Sequence, residues 1–550
     1  MAAPVPSAAA GLEQAGLPSW LAILLARRGV EDSAGADRFL KPSLDQLHDP
    51  FLLAGMEEAV CRLVEARNRG ERVAIVGDYD VDGISATAQL LAVFAHCGVD
   101  AIPILPHRLR EGYGFQPVHV ERAQAQACGL IVTADCGSSS AAAVEAAFAA
   151  GIGVIITDHH LPGCELPAGA LHINPRQARC NYPFPDLAAA GLALKLALAL
   201  AERCGKPVAP NVFLRIACLG TIADLVPLQG ENRVIAALGL AAMVHTRSLG
   251  LKALIQQSGM KPPFTAADVG FRIGPRINAA GRLHDPDRAL ELLMSRDAGR
   301  AFELAQELDG WNRERQTAEA KVVEEARLRF EARSPLPPIL VEWSADWHKG
   351  VVGVAAGRVA KDFHRPVLLL AVEGETATGS GRSVPGLELH GFLAAWKDRM
   401  TRFGGHAQAI GLTVEVARLE ELRQEWEAAG ESWPAEILAR RYEYELHLAP
   451  RQVSESLLTQ LARLEPFGQG NARPLVRTGP LRLHGEPRLF GKGHLSARAR
   501  GEDGAAVELV GWRWQERLGN LRGSFEVLAC VENDTYRGGP ILRLVDSRPA

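Results

Sequence analysis

Aspartate and histidine side chains recur at the ends of four apolar segments of this 550-residue chain. Aspartates that lie close together repel one another unless a cation is present. Carboxylates with one or two imidazoles suit Mn²⁺ or Mg²⁺ better than a metal that prefers thiolates. So many ligands predict two ions, roughly 3.5–4 Å apart and bridged by one carboxylate. The segments RVAIVGDYDVDG, LIVTADCGSS, GVIITDHH and CLGTIADLVPL carry Asp78, Asp80, Asp82, Asp135, Asp158, His159, His160 and Asp224.

Each of these residues, taken alone, has a simpler interpretation. Asp82 precedes GISAT and Asp135 precedes CGSSS, and aspartate is a favoured helix N-cap. The two histidines could belong to a polar loop. The joint pattern nevertheless favours a metal site, because the carboxyl ends of the strands in an open α/β sheet line the ligand crevice.

The elements that position these residues follow from an alternation of apolar and helical patterns between residue 71 and about 225. This alternation predicts βαβ units and a mostly parallel sheet. We expect an N-terminal helical segment (1–70) and an α/β catalytic domain (71–285). The predicted strands are RVAIVGD, AIPILP, LIVTAD and GVIITD, and the helices between them are ISATAQLLAVFAHCG, VHVERAQAQACG and SAAAVEAAFAAG.

A long helix is predicted next, because residues 287–334 contain no proline and apolar residues recur there at spacings of three and four. Some 35 helical residues would span roughly 50 Å, so a connecting helix (286–335) would join two domains. The alternative is two helices broken near Gly310. The stripe comprises Leu304, Leu308, Trp311, Arg315, Ala318, Val322 and Ala326.

Two further domains are expected beyond SPLPP. PILVEW, PVLLLAV and TATGSGRS predict a second α/β domain (336–438). After it, short alternating segments separated by glycine-rich turns predict an OB-like β-barrel (439–550), for which the family resemblance described below implies nucleic-acid binding. These segments include YEYELHL, HLSARAR, VELVGW, FEVLACV and ILRLV.

Composition limits the class of protein. Hydrophobic residues make up 47% and charged residues 23% of the chain, and the formal net charge is −4, which does not by itself indicate nucleic-acid binding. No apolar run approaches the roughly 20 residues of a membrane helix, so no association with a membrane is expected.

The nine cysteines form no CxxC pair, and the N-terminus lacks a signal-peptide pattern. A reduced, cytoplasmic protein is expected.

The motifs also resemble a known family. GDYDVDG, ADCGSS, TDHH and GTIADLVPL are similar to the four motifs of the DHH phosphoesterase superfamily, and FGGHAQAIG is similar to the signature of its associated domain. PHRLREGYG, GPRINAAGR and LEPFGQGNARP resemble the bacterial 5′→3′ single-stranded-DNA exonucleases of this superfamily. The resemblance runs from about residue 38 to the end of the chain.

The resemblance implies roles for the matching positions. Its metal ligands would be Asp80, Asp82, Asp135, His159 and Asp224. Asp135 would bridge two divalent cations, Mn²⁺ or Mg²⁺. His160 would contact the scissile phosphate, and Asp158 would orient its neighbouring histidine. Some relatives have a further histidine ligand where this chain has Val76.

The resemblance also implies residues that hold the substrate. Arginine pairs bidentately with phosphate, and glycine lets a backbone approach closely. The alternatives are an Arg–Asp pair that joins two loops, and a tight turn that requires positive φ. The implied substrate-binding residues are Arg108, Arg276, Asn278, Arg282, Ser380, Arg382, Gly404, Gly405 and His406.

The function implied is a metal-dependent exonuclease that degrades single-stranded DNA from its 5′ end to 5′-mononucleotides, in DNA repair and recombination. Single-strand-binding protein and a helicase would be partners. One alternative is a DHH phosphodiesterase of short oligonucleotides or cyclic dinucleotides, which typically lacks the barrel. Another is a binding or scaffold protein, against which the full set of aspartates argues.

Overall fold

The computed structural model describes residues 3–107, 111–112, 114–163, 165–534 and 537–550. The chain forms two compact units. The first contains Met1–Pro106, Tyr113–Gly274 and Tyr442–Ala550, and the second contains His107–Gly112 and Pro275–Arg441.

A five-stranded parallel sheet forms the centre of the first unit, with the strand order β2-β1-β3-β4-β5. The four predicted strands are confirmed. The fifth strand was not predicted, because its three residues LHI are too few to show a periodic pattern. The strands are β1 (Arg72–Gly77), β2 (Ala101–Ile104), β3 (Cys128–Ala134), β4 (Gly153–Thr157) and β5 (Leu171–Ile173).

Helices cover this sheet, since its strands are apolar on both faces. In the helix Ala189–Arg203, Lys195 interrupts an apolar run, is fully buried and forms an ion pair of 2.5 Å with Glu231. The α-helices from residue 56 to residue 268 are Met56–Arg69, Val81–Cys97, Pro117–Ala125, Ala141–Ala149, Ala189–Arg203, Asn211–Ala223, Gly230–Met243, Leu249–Ser258 and Ala266–Asp268, followed by a π-helix at Val269–Ile273.

The N-terminal helices share a hydrophobic core with the C-terminal barrel. Leu12, Leu21 and Leu25 are buried in the same cluster as Val476 and Phe525. The sequence did not predict this association, because it joins segments more than 400 residues apart. The helices are Ala8–Gln14, Ser19–Ala26 and Ser33–Leu40, with 3₁₀ turns at Leu44–Gln46 and Pro50–Leu52.

The C-terminal strands close into a barrel. Pairing runs β12-β16-β17-β15-β14 and returns from β14 to β12, and only the β15–β17 pair of this ring is parallel. This is the topology of an OB-fold, as predicted. The elements are β11 (Leu446–Leu448), β12 (Leu475–Leu483), β13 (Arg488–Phe490), β14 (His494–Gly501), β15 (Ala506–Gly511), β16 (Phe525–Asn533), β17 (Pro540–Pro549), the helix Glu455–Ala462 and 3₁₀ turns at Pro450–Gln452 and Gln515–Leu521.

The second unit contains a mixed five-stranded sheet, with the order β6-β7-β8-β10-β9. β6 and β7 are parallel and the remaining pairs are antiparallel. Its strands are β6 (Leu340–Ser344), β7 (Val367–Glu373), β8 (Thr376–Arg382), β9 (Arg402–His406) and β10 (Ala409–Glu415). Its later helices are Val352–Phe363, Leu389–Ala394, Leu419–Gly430 and Ala435–Leu438, with 3₁₀ turns at Lys397–Arg399 and Val416–Arg418.

The long helix is present and runs through Gly310 without a break. It spans the 34 residues Ala298–Glu331, which corresponds to about 51 Å. The alternative of two helices broken near Gly310 is therefore wrong. The predicted start was also too early, because Asp297 accepts a hydrogen bond from the Arg300 amide as the N-cap. The helices Gly274–Leu283 and Asp287–Met294 precede it.

Across the described part of the chain, the structure contains no helix that combines the length and the hydropathy of a membrane span.

Candidate active site

The polar residues at the four motif positions meet in one cluster of the first unit. The Nε2 atom of His159 is its centre. It lies 3.2 Å from Asp135 Oδ1, 3.5 Å from Asp224 Oδ2 and 3.8 Å from Asp82 Oδ2. Asp135 and His159 follow the carboxyl ends of β3 and β4, and Asp82 lies in the first turn of the helix Val81–Cys97 that follows β1. The end of the helix Asn211–Ala223 supplies Asp224.

Three overlapping groups in this cluster have the composition of a metal site, with ligand atoms within 4.8 Å of one another. Asp135 belongs to two of them. Asp78 shares one of these two groups with Asp80 and Asp135, although the resemblance implied no ligand role for it. Its position directly after β1 was the signal that could have indicated one. The groups are Asp82, His159 and Asp224; Asp135, His159 and His160; and Asp78, Asp80 and Asp135.

The electrostatics of the cluster fit a cation. Burial, with the charge of Asp80, raises the pKa of Asp82 to about 7. Burial, with the charges of Asp82 and Asp80, raises the pKa of Asp224 to about 8. The pKa of Asp135 is also well above its usual value, because of burial and the charge of Asp82. A divalent cation would remove this repulsion.

Two buried atoms in the cluster lack a hydrogen-bond partner among the described residues. They are Asp135 Oδ1 and His159 Nε2. Buried polar atoms are normally hydrogen-bonded, and an unpaired one requires an explanation. A carboxylate oxygen and an imidazole nitrogen that face each other at 3.2 Å are suitable ligands for one ion.

The two adjacent histidines have opposite protonation. Burial, followed by the charge of His160, lowers the pKa of His159 to about 3, so this ring is neutral and can act as a ligand. Burial would also lower the pKa of His160. The hydrogen bond and the charge of Asp158 outweigh burial and raise that pKa to about 9.

The carboxylate of Asp158 pairs with the imidazole ring of His160. Its Oδ1 lies 2.7 Å from His160 Nδ1 and also accepts the backbone amides of both histidines, and its Oδ2 accepts the Ser138 amide. Burial would raise the pKa of Asp158, but the hydrogen bond from His160 prevails and lowers it to about 2.

Asn174, directly after the unpredicted strand β5, completes this network. Its side-chain amide donates to Ser138 Oγ and to the carbonyl oxygen of His160, both at 2.9 Å. Asn174 is fully buried. No sequence pattern indicated its role, because the strand before it was not recognised.

Asp80, rather than Asp82, caps the helix Val81–Cys97. Its Oδ1 accepts the amide of Asp82 at 2.9 Å. Asp82 instead accepts the amides of Ala189 and Ala190 at 2.7 and 2.9 Å. The N-cap alternative for Asp82 is therefore wrong.

The N-cap alternative for Asp135 is also wrong, since the next helix begins after Ser140. Asp135 has φ +71°, a conformation that costs energy outside glycine and tends to occur at functional sites. Close packing also shapes the site at Gly220, where a Cβ atom would overlap Asp82 Oδ1 and Ala190 Cβ. Val76 is fully buried within β1.

In the second unit, Arg276 forms the ion pair that the alternative interpretation expected. Its Nη2 and Nε atoms lie 2.7 and 2.9 Å from Asp309 Oδ1. Asn278 and Arg282 lie on the same helix, Gly274–Leu283. Arg108 lies outside the described residues.

Ser380 and Arg382 share one face of β8, because they are two residues apart. The first turn of the helix Val352–Phe363 packs against both side chains. A Cβ atom on Gly353 would lie 3.0 Å from Ser380 Oγ and 3.4 Å from Arg382 Nη2. A hydroxyl, a guanidinium and a helix N-terminus together suit a phosphate group.

Gly404, Gly405 and His406 end strand β9 at the edge of the sheet. Gly405 has φ +135°, and a Cβ atom there would overlap the carbonyl oxygen of Ala409. Gly404 has nothing within 4 Å of an added Cβ. The hairpin therefore requires glycine at position 405 but not at position 404. His406 is exposed.

The barrel carries a cluster of three rings, of which Phe490 and Trp512 are exposed and His494 is half-buried. The His494 ring lies 4.7 Å from that of Trp512 and 5.4 Å from that of Phe490. The side chain of Trp512 is 55% exposed, whereas Trp514 is buried in the core. Only Trp512 of this pair is therefore accessible for stacking on a base.

Comparisons with known proteins agree with this architecture. Residues 72–221 match the DHH family N-terminal domain, residues 336–430 match the DHHA1 domain, and residues 444–545 match the RecJ OB domain. The fold and the cluster therefore define a protein of the DHH family with an associated DHHA1 domain.

The single-stranded-DNA-specific exonucleases RecJ of Salmonella typhimurium and Escherichia coli are 38% and 37% identical to the chain, over 88% and 87% of its length and 86% of theirs. The chain belongs to the RecJ family. The RecJ of Bacillus subtilis is 36% identical over 84% of the chain, which spans 59% of that relative's length.

Solved structures of RecJ from Thermus thermophilus are also similar. The complex with Mn²⁺ has a TM-score of 0.84 and 30% identity. The match covers the whole of this chain and 78% of the Thermus thermophilus chain. The complex with Mg²⁺ has a TM-score of 0.79 and 29% identity. That match covers the whole of this chain and 77% of the Thermus thermophilus chain. The resemblance that the motifs indicated is confirmed.

Proposed function

We propose that this chain is a divalent-metal-dependent exonuclease that hydrolyses single-stranded DNA from its 5′ end to 5′-mononucleotides, in DNA repair and recombination. The observation that carries the proposal is the cluster around Asp135. Its carboxylates have raised pKa values, and two of its buried atoms, Asp135 Oδ1 and His159 Nε2, have no hydrogen-bond partner among the described residues. The relatives that are named as exonucleases support the choice of reaction.

Two Mn²⁺ or Mg²⁺ ions would share Asp135. Asp82, His159 and Asp224 would hold one ion, and Asp78 and Asp80 would hold the other. When bound, such a pair lowers the pKa of a water nucleophile and neutralises charge on the phosphate oxygens. The two ions would offset most of the carboxylate charge, so the phosphodiester would meet an attractive site.

His160 would contact the scissile phosphate. Its raised pKa keeps a proton on the ring at neutral pH, and its side chain is 37% exposed. Asp158 would hold the ring through Nδ1, and Asn174 would fix the backbone of His160. A positively charged donor stabilises the negative charge that develops on the phosphate oxygens.

The second unit would bind the 5′ end of the strand. Ser380 and Arg382, beside the start of the helix Val352–Phe363, would hold a terminal phosphate. Arg276 would contribute while held by Asp309. The remaining substrate-binding assignments are Arg108, Asn278, Arg282, Gly404, Gly405 and His406, which rest on the family resemblance.

The barrel would extend the binding groove for the strand. The exposed rings of Phe490 and Trp512, which contact the half-buried ring of His494, suit stacking on bases without sequence preference. Single-strand-binding protein and a helicase are the proposed protein partners, as the resemblance implies. A cytoplasmic location is proposed, in keeping with the free state of the eight described cysteines.

The proposal is tested with a long single strand labelled at either end and incubated with Mn²⁺ or with a chelator. Early release of the 5′ label as a mononucleotide, only with metal, is the expected result. Early release of the 3′ label would reject the polarity. Cleavage of dinucleotides alone would favour a small-substrate phosphodiesterase, and cleavage of neither would favour a binding protein.

A further inference from the structure

A loop of the barrel domain contacts the segment that follows Asp224. We call residues 464–471 the barrel loop. The amide of Leu228 donates to the carbonyl oxygen of Gln469 at 2.7 Å, and Gln229 Nε2 donates to the carbonyl oxygen of Gly470 at 3.0 Å. Leu228, four residues after Asp224, thus forms a backbone hydrogen bond with the barrel domain.

The contact is tightly packed. Gly470 has φ +68°, and a Cβ atom there would lie 3.0 Å from Pro227 Cβ. A Cβ atom on Gly468 would lie 2.6 Å from Leu228 Cδ1. Side chains at these two glycines would therefore press on Pro227 and Leu228, which end the motif of Asp224.

The barrel loop is itself rigidly held. The side-chain amide of Asn471, which is fully buried, donates to the carbonyl oxygens of Leu464 and Pro466 at 2.7 and 2.8 Å. Its Oδ1 accepts Arg28 Nε from the N-terminal helices at 2.6 Å. Every polar atom of this amide is therefore satisfied within the first unit.

Arg233 attaches the loop from the other side. This buried residue of the helix Gly230–Met243 donates to the carbonyl oxygens of Leu464 at 3.0 Å and Glu465 at 2.7 Å. It also donates to the carbonyl oxygen of Phe39 at 2.8 Å. A buried arginine that is saturated by carbonyl oxygens fixes backbone positions rather than a ligand.

We propose that the barrel loop positions Asp224, so that the barrel domain serves the phosphoesterase centre as well as the DNA strand. This inference rests on the proposed function and adds positioning residues to it, namely Gly470, Asn471 and Gln229. Residues that orient a metal ligand commonly change metal affinity by roughly 10- to 100-fold.

The test compares Gly470→Ala with Gly504→Ala. Both glycines lie in the barrel domain at positive φ, +68° and +76°, but an added Cβ at Gly504 meets nothing within 4 Å. The two variants thus have similar backbone strain, and only the first presses on Pro227. Mn²⁺ affinity is measured by calorimetry, and unfolding temperature is measured in chelator.

Gly470→Ala should bind Mn²⁺ roughly tenfold more weakly and should require correspondingly more Mn²⁺ for half-maximal release of nucleotides. Gly504→Ala should match the wild type in both. Gln229→Ala, a milder change, serves if Gly470→Ala does not fold, and should shift the affinity in the same direction.

Equal Mn²⁺ affinity in wild type and in folded Gly470→Ala and Gln229→Ala would overturn the inference and leave the proposed exonuclease intact. A weaker affinity in Gly504→Ala, equal to that in Gly470→Ala, would overturn it too, since strain alone would then explain the effect. A wild type that binds no Mn²⁺ would overturn the proposed function and this inference together.

Discussion

His160 Nδ1 lies 2.7 Å from Asp158 Oδ1, and this contact separates the chemistry of the two adjacent histidines. The pairing raises the pKa of the His160 ring to about 9, so this ring keeps its proton at neutral pH. The ring of His159, with a pKa of about 3, remains neutral. The pairing with Asp158 thus keeps the proton on His160, whereas burial keeps the ring of His159 neutral.

Replacing Asp158 with Asn should therefore move the pH profile of the reaction. The wild-type kcat requires protonated His160 and should fall as the pH rises above the pKa of this ring, which Asp158 raises. Without the carboxylate, the pKa of His160 should fall toward its ordinary 6.5, so that kcat falls at lower pH. At pH 8 we expect a loss of roughly 10- to 100-fold. An unchanged pH profile in Asp158→Asn would reject the role of this pair.

Metal-free protein should lose stability as pH rises from 6.5 to 9. The pKa values of Asp82, Asp224 and His160 are raised to about 7, 8 and 9 in the folded state. The folded protein thus binds more protons than the unfolded chain, and the stability present at low pH is lost as pH passes these values. His159, whose pKa is lowered, changes stability only below its unfolded value of 6.5.

The unfolding temperature in chelator at pH 6.5 and at pH 8.5 measures this effect. Mn²⁺ should raise the unfolding temperature more at pH 8.5, because metal binding there displaces fewer protons. A metal-free protein that becomes more stable with rising pH would contradict the assigned shifts.

Leu225→Gly should stabilise the protein. Leu225 follows the helix Asn211–Ala223 and its cap Asp224 with φ +61°, and its side chain is 70% exposed. Glycine is the preferred residue for this left-handed conformation after a helix, and relief of the strain is worth about 1 kcal/mol. Leu225→Ala keeps the Cβ atom and is the matched control. Chemical unfolding in the presence of Mn²⁺ should show the gain in the glycine variant alone.

Arg382→Ala should reduce the preference for strands that carry a 5′-phosphate. A hydrogen bond to a charged group contributes about 1.5–3 kcal/mol, so the kcat/KM ratio of 5′-phosphorylated to 5′-hydroxyl strands should fall roughly 10- to 100-fold. Arg418→Ala, an exposed arginine paired with Glu415 in the same unit, is the control. An unchanged ratio in Arg382→Ala would place the phosphate site elsewhere.

The parallel sheet and the ligand cluster could be predicted because both depend on local patterns. Runs of valine and isoleucine mark β1, β3 and β4, and an aspartate that follows such a strand must lie at the carboxyl edge of the sheet. The pattern of strand ends included Asp78, but the ligand set that the resemblance implied left it out, and the role of Asn174 was missed. The ligand role of Asp78 depends on the direction of its side chain, which the sequence pattern does not give. The role of Asn174 depends on its position after β5, a strand of only three residues that shows no periodic pattern.

Long-range packing could not be predicted. The contact between Arg28 and Asn471 joins residues that are 443 positions apart, and no periodicity records such a pairing. The break before the long helix depended on Asp297, whose capping role competes with continued helix in a proline-free segment. The motif LEPFGQGNARP suggested family membership, whereas the structure shows its packing against the segment after Asp224.

The central claim is that Asp135 joins two cations in one hydrolytic site. The most direct measurement is the number of Mn²⁺ ions bound by Asp135→Asn, together with release of the 5′ label from a long single strand. The account predicts loss of tight Mn²⁺ binding and a rate lower by about 1,000-fold, equivalent to about 4 kcal/mol. It also predicts a higher unfolding temperature than the wild type in chelator at pH 8, since the variant lacks a buried carboxyl group whose ionisation the folded state disfavours. A variant that binds two Mn²⁺ ions and releases the 5′ label at the wild-type rate would contradict it.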